Sequence, residues 1–204
     1  MGARMSTLFS KKRYGEIKCK IQQSMDFMLL MGYGVMFGIA AIAKDFVPVF
    51  FGAGYEEVVF LLYFMAPLIV IICISNCIGS QYYTPAGKVY LASKYMIIGS
   101  IVNLALNLCL IPRYGMYGAV ISSIIAELII SMLFIFNDSG YIIWRDIMKY
   151  STKRILSGTV MFVSVVLFSN LFAGSMIFKM GLEVVVGILV YFSVLILLKD
   201  KGLI

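Results

Sequence analysis

Long charge-free stretches are the feature that most restricts this sequence. Phe27 to Ala43, Tyr95 to Pro112 and Ile155 to Phe178 carry no charged residue. Between Glu57 and Lys88 the chain runs 30 residues without a charge, most apolar over Val58 to Ile78, and Tyr114 to Asn137 holds a single charge, Glu127. A sixth run, Val184 to Leu198, is shorter; it reaches spanning length if Met180 to Glu183 enter the interface and the helix tilts or the bilayer thins. About 20 apolar residues in a helix cross the hydrocarbon core of a bilayer. Membrane strands would instead alternate over about 10 residues. The expected fold class is therefore all-α integral membrane, with six transmembrane helices. Composition agrees: 62% of the 204 residues are hydrophobic and 13% charged, against about 45–50% and about 25% in soluble domains. A soluble fold of this size cannot hide that much apolar surface, which argues against a water-soluble enzyme, a nucleic-acid binder and a disordered tail.

The net charge of +7 reads as topology. Basic residues gather on the cytoplasmic side of membrane proteins. With the N-terminus inside, the inner segments carry Arg4, Lys11, Lys12, Arg13, Lys18, Lys20, Lys88, Lys94, Arg145, Lys149, Lys153, Arg154, Lys199 and Lys201, and the outer ones only Lys44, Arg113 and Lys179. Both termini are thus expected in the cytoplasm of a multi-pass protein, and no nucleic-acid partner is expected. Residues 1–25 do not read as a signal peptide, because a full span follows the basic region without an evident small-residue cleavage site. There Ile17, Ile21 and Met25 recur every four residues among basic ones, which fits either a short interfacial helix or a solvated basic linker. The linear organisation expected is a cytoplasmic amphipathic segment (1–25), a four-helix part (26–137), a cytoplasmic connection (138–154) with Trp144 and Tyr150 near the interface, and a final helix pair (155–204).

The chain has no His, which removes His-based triads, zinc sites of the HExxH kind and His proton relays. Cys19, Cys73, Cys77 and Cys109 lack CxxC spacing and a disulfide framework is not expected. No paired-carboxylate site, phosphate-cradling glycine loop or nucleophile beside a base is present, so no cofactor is expected and a membrane-embedded enzyme is the weakest of the classes weighed.

Glu127 stands out because a charge near the middle of a span is expensive, roughly +2.5 to +3.5 kcal/mol on insertion scales. It reads either as a cavity group for a cation or proton or as a hydrogen-bonding residue that holds the bundle. Asn103 and Asn107 share one helix face. The turn Ile111-Pro112-Arg113-Tyr114-Gly115 makes spans three and four an antiparallel hairpin. If it pivots near Gly115, Asn103 lies level with Glu127 and Asn107 with Ser123. Gly118, Ser122 and Ala126 form an adjacent small-residue stripe that permits close packing. The candidate substrate- or ion-binding group is therefore Asn103, Asn107, Ser123 and Glu127, with plain structural hydrogen bonding the competing reading. Gly34-xxx-Gly38 reads as close helix contact, Pro48 as a helix break or interfacial elbow at the outer surface and Pro67 as a kink. Residues 82–87 read as an inner turn whose aromatics sit at the interface or stack on sugars.

Several segments then resemble, in order, the polysaccharide repeat-unit flippases (Wzx-type) of the MATE-like multidrug/oligosaccharidyl-lipid/polysaccharide exporter superfamily. They are Gly2-Ala3-Arg4-Met5-Ser6, similar to the segment after the eighth helix of that family; Phe46-Val47-Pro48-Val49-Phe50-Phe51-Gly52; residues 79–88; Asn103 to Asn107 through Pro112; and Tyr114-Gly115-Met116-Tyr117-Gly118-Ala119 running to Glu127. The resemblance covers about residues 1–137. It implies the C-terminal portion, helices nine to fourteen, of a two-lobe transporter in a bacterial inner membrane. Such a transporter moves polyprenyl-pyrophosphate-linked oligosaccharide for capsule or O-antigen synthesis. Spans three and four then correspond to helices eleven and twelve, where related exporters can hold a cation. The chain departs from the family in lacking the first lobe and the first two helices of the second, and no Lys or Arg is expected inside any of the six spans to hold a pyrophosphate. It is expected to be inactive alone, as a truncated product, a partial gene or a chain that works with a separate N-terminal half, with polysaccharide-assembly proteins as further candidate partners. The alternatives are a cation-coupled multidrug exporter of the same superfamily and a non-transporting membrane scaffold.

Overall fold

A helix in hydrocarbon bonds every backbone group within itself, and the charge-free runs fold accordingly. The computed structural model describes residues 2–137, 140–142, 144–172 and 174–200, without the side chains of residues 2–4, 144, 146, 147, 149 and 150. The side chains of Arg4, Trp144, Lys149 and Tyr150, and all of Lys201, therefore fall outside the described residues. The elements are α1 (Gly2–Ser10), α2 (Tyr14–Phe50), α3 (Glu57–Ile78), a π-helical turn (Gly79–Tyr83), α4 (Val89–Tyr114), α5 (Met116–Phe136), α6 (Trp144–Leu171) and α7 (Met176–Leu197). Six of these helices, α2 to α7, are long and apolar enough to cross a membrane.

Several boundaries differ from the sequence expectation. Residues 14–25 are not a separate interfacial helix; they are the first turns of the 37-residue α2. The separate helix lies earlier, in α1, and the break falls at residues 11–13, where Lys12 adopts φ 53°. Ile17, Ile21 and Met25 do share a face, but each is 0% exposed. A spacing of four identifies one helix face and not whether lipid, water or protein covers it. Pro48 does not break α2, which runs on to Phe50; the turn comes at Gly52 (φ 86°) and Gly54 (φ 95°), a backbone region that glycine enters without strain. In that turn the backbone N–H of Glu56 itself, then that of Gly54 at 3.2 Å, stabilises the Glu56 carboxylate and holds its pKa below the ordinary value. Pro67 lies inside α3, and α6 begins at Trp144, so part of the stretch read as a connection is helical.

The chain forms two compact units, Met1–Leu29 with Val70–Ile147 and Leu30–Ile69 with Met148–Ile204. This division passes through α2, α3 and α6 and does not follow the linear segments. In the first unit, Tyr82 and Tyr83 are buried among aromatic rings: Tyr83 packs on Phe134 (centroids 4.9 Å) and Tyr82 on Phe9 and Tyr141 (6.1 and 5.2 Å). The Tyr83 hydroxyl donates to the Phe134 carbonyl at 3.3 Å and Lys88 donates to the Tyr82 hydroxyl. These rings are filled by protein and offer no open face to a sugar. In the second unit, Leu30, Ala41, Met161, Val165, Tyr191 and Leu195 form a core. Gly34 admits the Tyr191 ring, 3.1 Å from where a Cβ would stand, and the Tyr191 hydroxyl donates to the Leu30 carbonyl at 2.8 Å. The Arg154–Asp200 pair (3.1 Å, both fully buried) joins the first half of α6 to the residues just past α7. Lys153 Nζ reinforces it by donating to the Leu198 and Lys199 carbonyls at 2.7 and 3.0 Å, a cation on helix-end carbonyls.

Candidate functional site: polar groups in the α4–α5 hairpin and at the ends of α2, α6 and α7

The α4–α5 turn depends on Gly115, whose φ of 56° few side chains tolerate and whose N–H bonds the Ile111 carbonyl at 2.8 Å. Just beyond, a Cβ on Gly118 would stand 2.5 Å from the Leu110 carbonyl oxygen, and one on Gly99 would meet Ile130 at 2.3 Å. Glycine at these two points lets the helices touch along their length, in the antiparallel register that pivots near Gly115. That register aligns the polar residues. Asn107 Nδ2 donates to Asn103 Oδ1 at 2.9 Å, and Asn103 Nδ2 reaches Ser123 Oγ at 3.5 Å, the outer limit of a hydrogen bond. Ser123 itself donates to the Ala119 carbonyl at 3.0 Å. The Asn107 Oδ1 atom is buried and accepts no hydrogen bond.

Three of the four sequence candidates, Asn103, Asn107 and Ser123, are thus joined. Glu127 sits one turn further along the Ser123 stripe, and its carboxylate instead accepts a hydrogen bond from Ser75 on α3. One turn beyond, Ser131 donates to the Ile71 carbonyl of α3 at 3.3 Å. Ser75 carried no signal in the sequence, because a serine inside an apolar run looks alike on any face. Chemically, the row offers amide, hydroxyl and carboxylate oxygens. Such oxygens suit a small hard cation or a hydroxyl-rich group.

A second polar group lies in the other unit. Asp45 accepts from Lys179 Nζ at 2.9 Å and from Ser169 Oγ at 2.8 Å, and Lys179 stands 3.9 Å from Glu183 Oε1. The ends of α2 and α6 and the start of α7 supply these residues. Glu183 also lines an apolar cavity of about 430 Å³ with Leu30, Gly34, Gly38, Val165 and Tyr191. The sequence puts Lys179 at the outer flank of a span and Glu183 in the interface, and gives Asp45 no role. The available signal was the i, i+4 spacing of Lys179 and Glu183, which is common on solvated helices and says nothing of Asp45.

The fold, once traced, is similar to that of the lipid II flippase MurJ in an inward closed conformation. The TM-score is 0.77 at 18% sequence identity, covering 97% of this chain and 42% of that one. The chain therefore spans less than half the length of that flippase. No protein-family model and no curated protein matches the sequence.

Proposed function

We propose that the chain is part of a flippase for a lipid-linked oligosaccharide, of the MATE-like exporter superfamily, in a bacterial inner membrane with both termini cytoplasmic. The observation that carries this reading is the overlay of nearly the whole chain on a stretch of a lipid II flippase. The ordered resemblance of residues 1–137 to polysaccharide repeat-unit flippases supports the glycan end of the reading. The hairpin polar row, Asn103, Asn107, Ser123 and Glu127, is assigned to a substrate headgroup or coupling cation. Transporters of this build bind near the bilayer midplane, where the helix repeats meet. Because the chain spans less than half of the flippase it resembles, a complete path needs helices beyond these six.

The test is made in cells. Replacing both Asn103 and Asn107 with Leu in the protein as its own cell produces it should leave lipid-linked repeat units on the inner leaflet and deplete surface glycan. Protein abundance should stay the same. Normal surface glycan with raised drug sensitivity would instead identify a multidrug exporter. Normal glycan and normal drug resistance, with loss of a glycosyltransferase or polymerase from the membrane, would identify a scaffold.

A further inference from the structure

Glu183 is the most poorly satisfied charge-bearing side chain in the second unit. It is 0% exposed, and neither Oε1 nor Oε2 takes part in a hydrogen bond. Lys179 is 3.9 Å from Oε1, beyond hydrogen-bond range, because its ammonium is spent on Asp45 at 2.9 Å. Asp45 is by contrast well served, with Lys179 on Oδ1 and Ser169 on Oδ2. On its other side Glu183 meets the cavity, whose remaining lining includes Leu30, Gly38 and Val165, and whose one hydroxyl, that of Tyr191, is spent on the Leu30 carbonyl.

An ionised carboxylate is acceptor-only, with room for about four donors. Burying one without donors costs several kcal/mol even after relaxation. Here two carboxylates share a single ammonium, so the group is one positive charge short. The groups facing Glu183 are Asp45 from α2, Ser169 with Val165 and Met161 from α6, and Lys179 from its own helix. Lys44, the neighbour of Asp45, is exposed. None of these supplies the missing charge. Asp45 and Glu183 flank the same ammonium, which stands 2.9 Å from one carboxylate and 3.9 Å from the other. Two carboxylates cannot bond each other, but one proton shared by the pair allows an O–H···O⁻ hydrogen bond, the short charge-assisted kind. A metal ion fits worse: Lys179 occupies the position between the carboxylates. Among the described residues no three acidic or thiol side chains gather to hold one.

We propose that Asp45 and Glu183, bridged by Lys179, form a proton-binding site in which Glu183 carries the proton and Asp45 accepts its hydrogen bond. With the proton bound the group is neutral and the ends of α2 and α6 stay closed on the start of α7. Loss of the proton leaves one uncompensated negative charge beside an apolar cavity, and the carboxylates repel. Proton occupancy is thereby tied to how tightly these three helix ends pack, at a place separate from the α4–α5 polar row.

Infrared spectroscopy of the whole chain in lipid vesicles tests this directly. A carboxylic-acid carbonyl band that shifts in heavy water and disappears as pH is raised is expected. Glu183→Gln should abolish it and Glu127→Gln should leave it in place. Absence of a titrating band, or its survival in Glu183→Gln, overturns the proposal. So does its removal by sodium at constant pH, which would mean a metal-cation site. Should Glu183→Gln fail to insert, Asp45→Asn reads the same site. In Asp45→Asn the Lys179 ammonium is left to Glu183 alone, so the band should be lost or should disappear at lower pH than in the wild type, and a band unchanged in frequency and in pH dependence overturns the pairing. The readout does not depend on any transported substrate, so it stands or falls apart from the flippase reading.

Discussion

A carboxylate inside a membrane span is held by what donates to it, and Glu127 and Glu183 differ in that respect. Glu127 takes a hydrogen bond from Ser75, while Glu183 takes none. Hydrogen bonds between membrane helices average about 0.6 kcal/mol and reach about 1.7 kcal/mol. A double-mutant cycle with Ser75→Ala and Glu127→Gln, read by unfolding in detergent, should therefore return a coupling of roughly 0.5–2 kcal/mol. Zero coupling would mean that the two side chains do not bond in the membrane. Glu127 was legible in the sequence because a lone charge in a long apolar run is conspicuous. Its partner was not, since which face of α3 meets α5 is set by packing and leaves no periodic trace. Asp45 was overlooked for a related reason. At the edge of a charge-free run, a charge that ends a span and a charge that enters a buried group look the same.

At the scale of elements, the α4–α5 hairpin was the most legible part. A Pro-Arg-Tyr-Gly turn flanked by two charge-free runs admits few geometries, and an antiparallel pair follows from it, although Asn103 reaches Ser123 where a pivot at Gly115 sets it level with Glu127. The contacts that hold it depend on backbone approach. Gly118 has the Leu110 carbonyl 2.5 Å from its would-be Cβ, and a backbone atom cannot step aside as a side chain end can. Gly118→Ala should destabilise the protein by about 1–3 kcal/mol, the usual cost of overpacking, measured as an earlier midpoint in thermal or denaturant unfolding. Gly38→Ala is the control, because nothing lies within 4 Å of its Cβ position; equal effects of the two would remove the close-packing account. The other elements show the limits of pattern. The stripe of Ile17, Ile21 and Met25 marks one face but leaves open an interfacial helix or a solvated linker, and both give way to a buried face of α2. Pro48 reads as a break or an elbow at the outer surface, and α2 continues for two residues past it. Proline lacks the N–H that would bond the Lys44 carbonyl one turn back and crowds that turn, but the bonds that follow do not use its nitrogen: Phe51 N–H still reaches the Val47 carbonyl at 2.9 Å and Gly52 N–H that of Pro48 at 3.2 Å.

For the molecule as a whole, the charge asymmetry makes an orientation testable. In a variant with its four native cysteines replaced, a membrane-impermeant thiol reagent added to intact cells should label Ala53→Cys and spare Lys12→Cys and Lys88→Cys until the membrane is opened. The reverse pattern would overturn the cytoplasmic placement of both termini. Within the second unit, the ends of α2 and α6 meet the start of α7 through Asp45, Ser169 and Lys179, as consecutive crossings of one bilayer require. The sequence by itself determined the helical class, the six helices long enough to cross a membrane and the antiparallel pairing of α4 with α5. These follow from local rules: a chain in hydrocarbon must satisfy its own backbone, and a tight turn sends the next helix back along the last. Tertiary structure alone decided which polar side chains meet across distant helices. It joined Ser75 to Glu127 and Asp45 to Lys179 and Glu183, and it gave Tyr82 and Tyr83 aromatic neighbours instead of an open face. Those choices depend on the rotation of each helix about its axis, and packing sets that rotation by small differences in shape that no repeating pattern encodes.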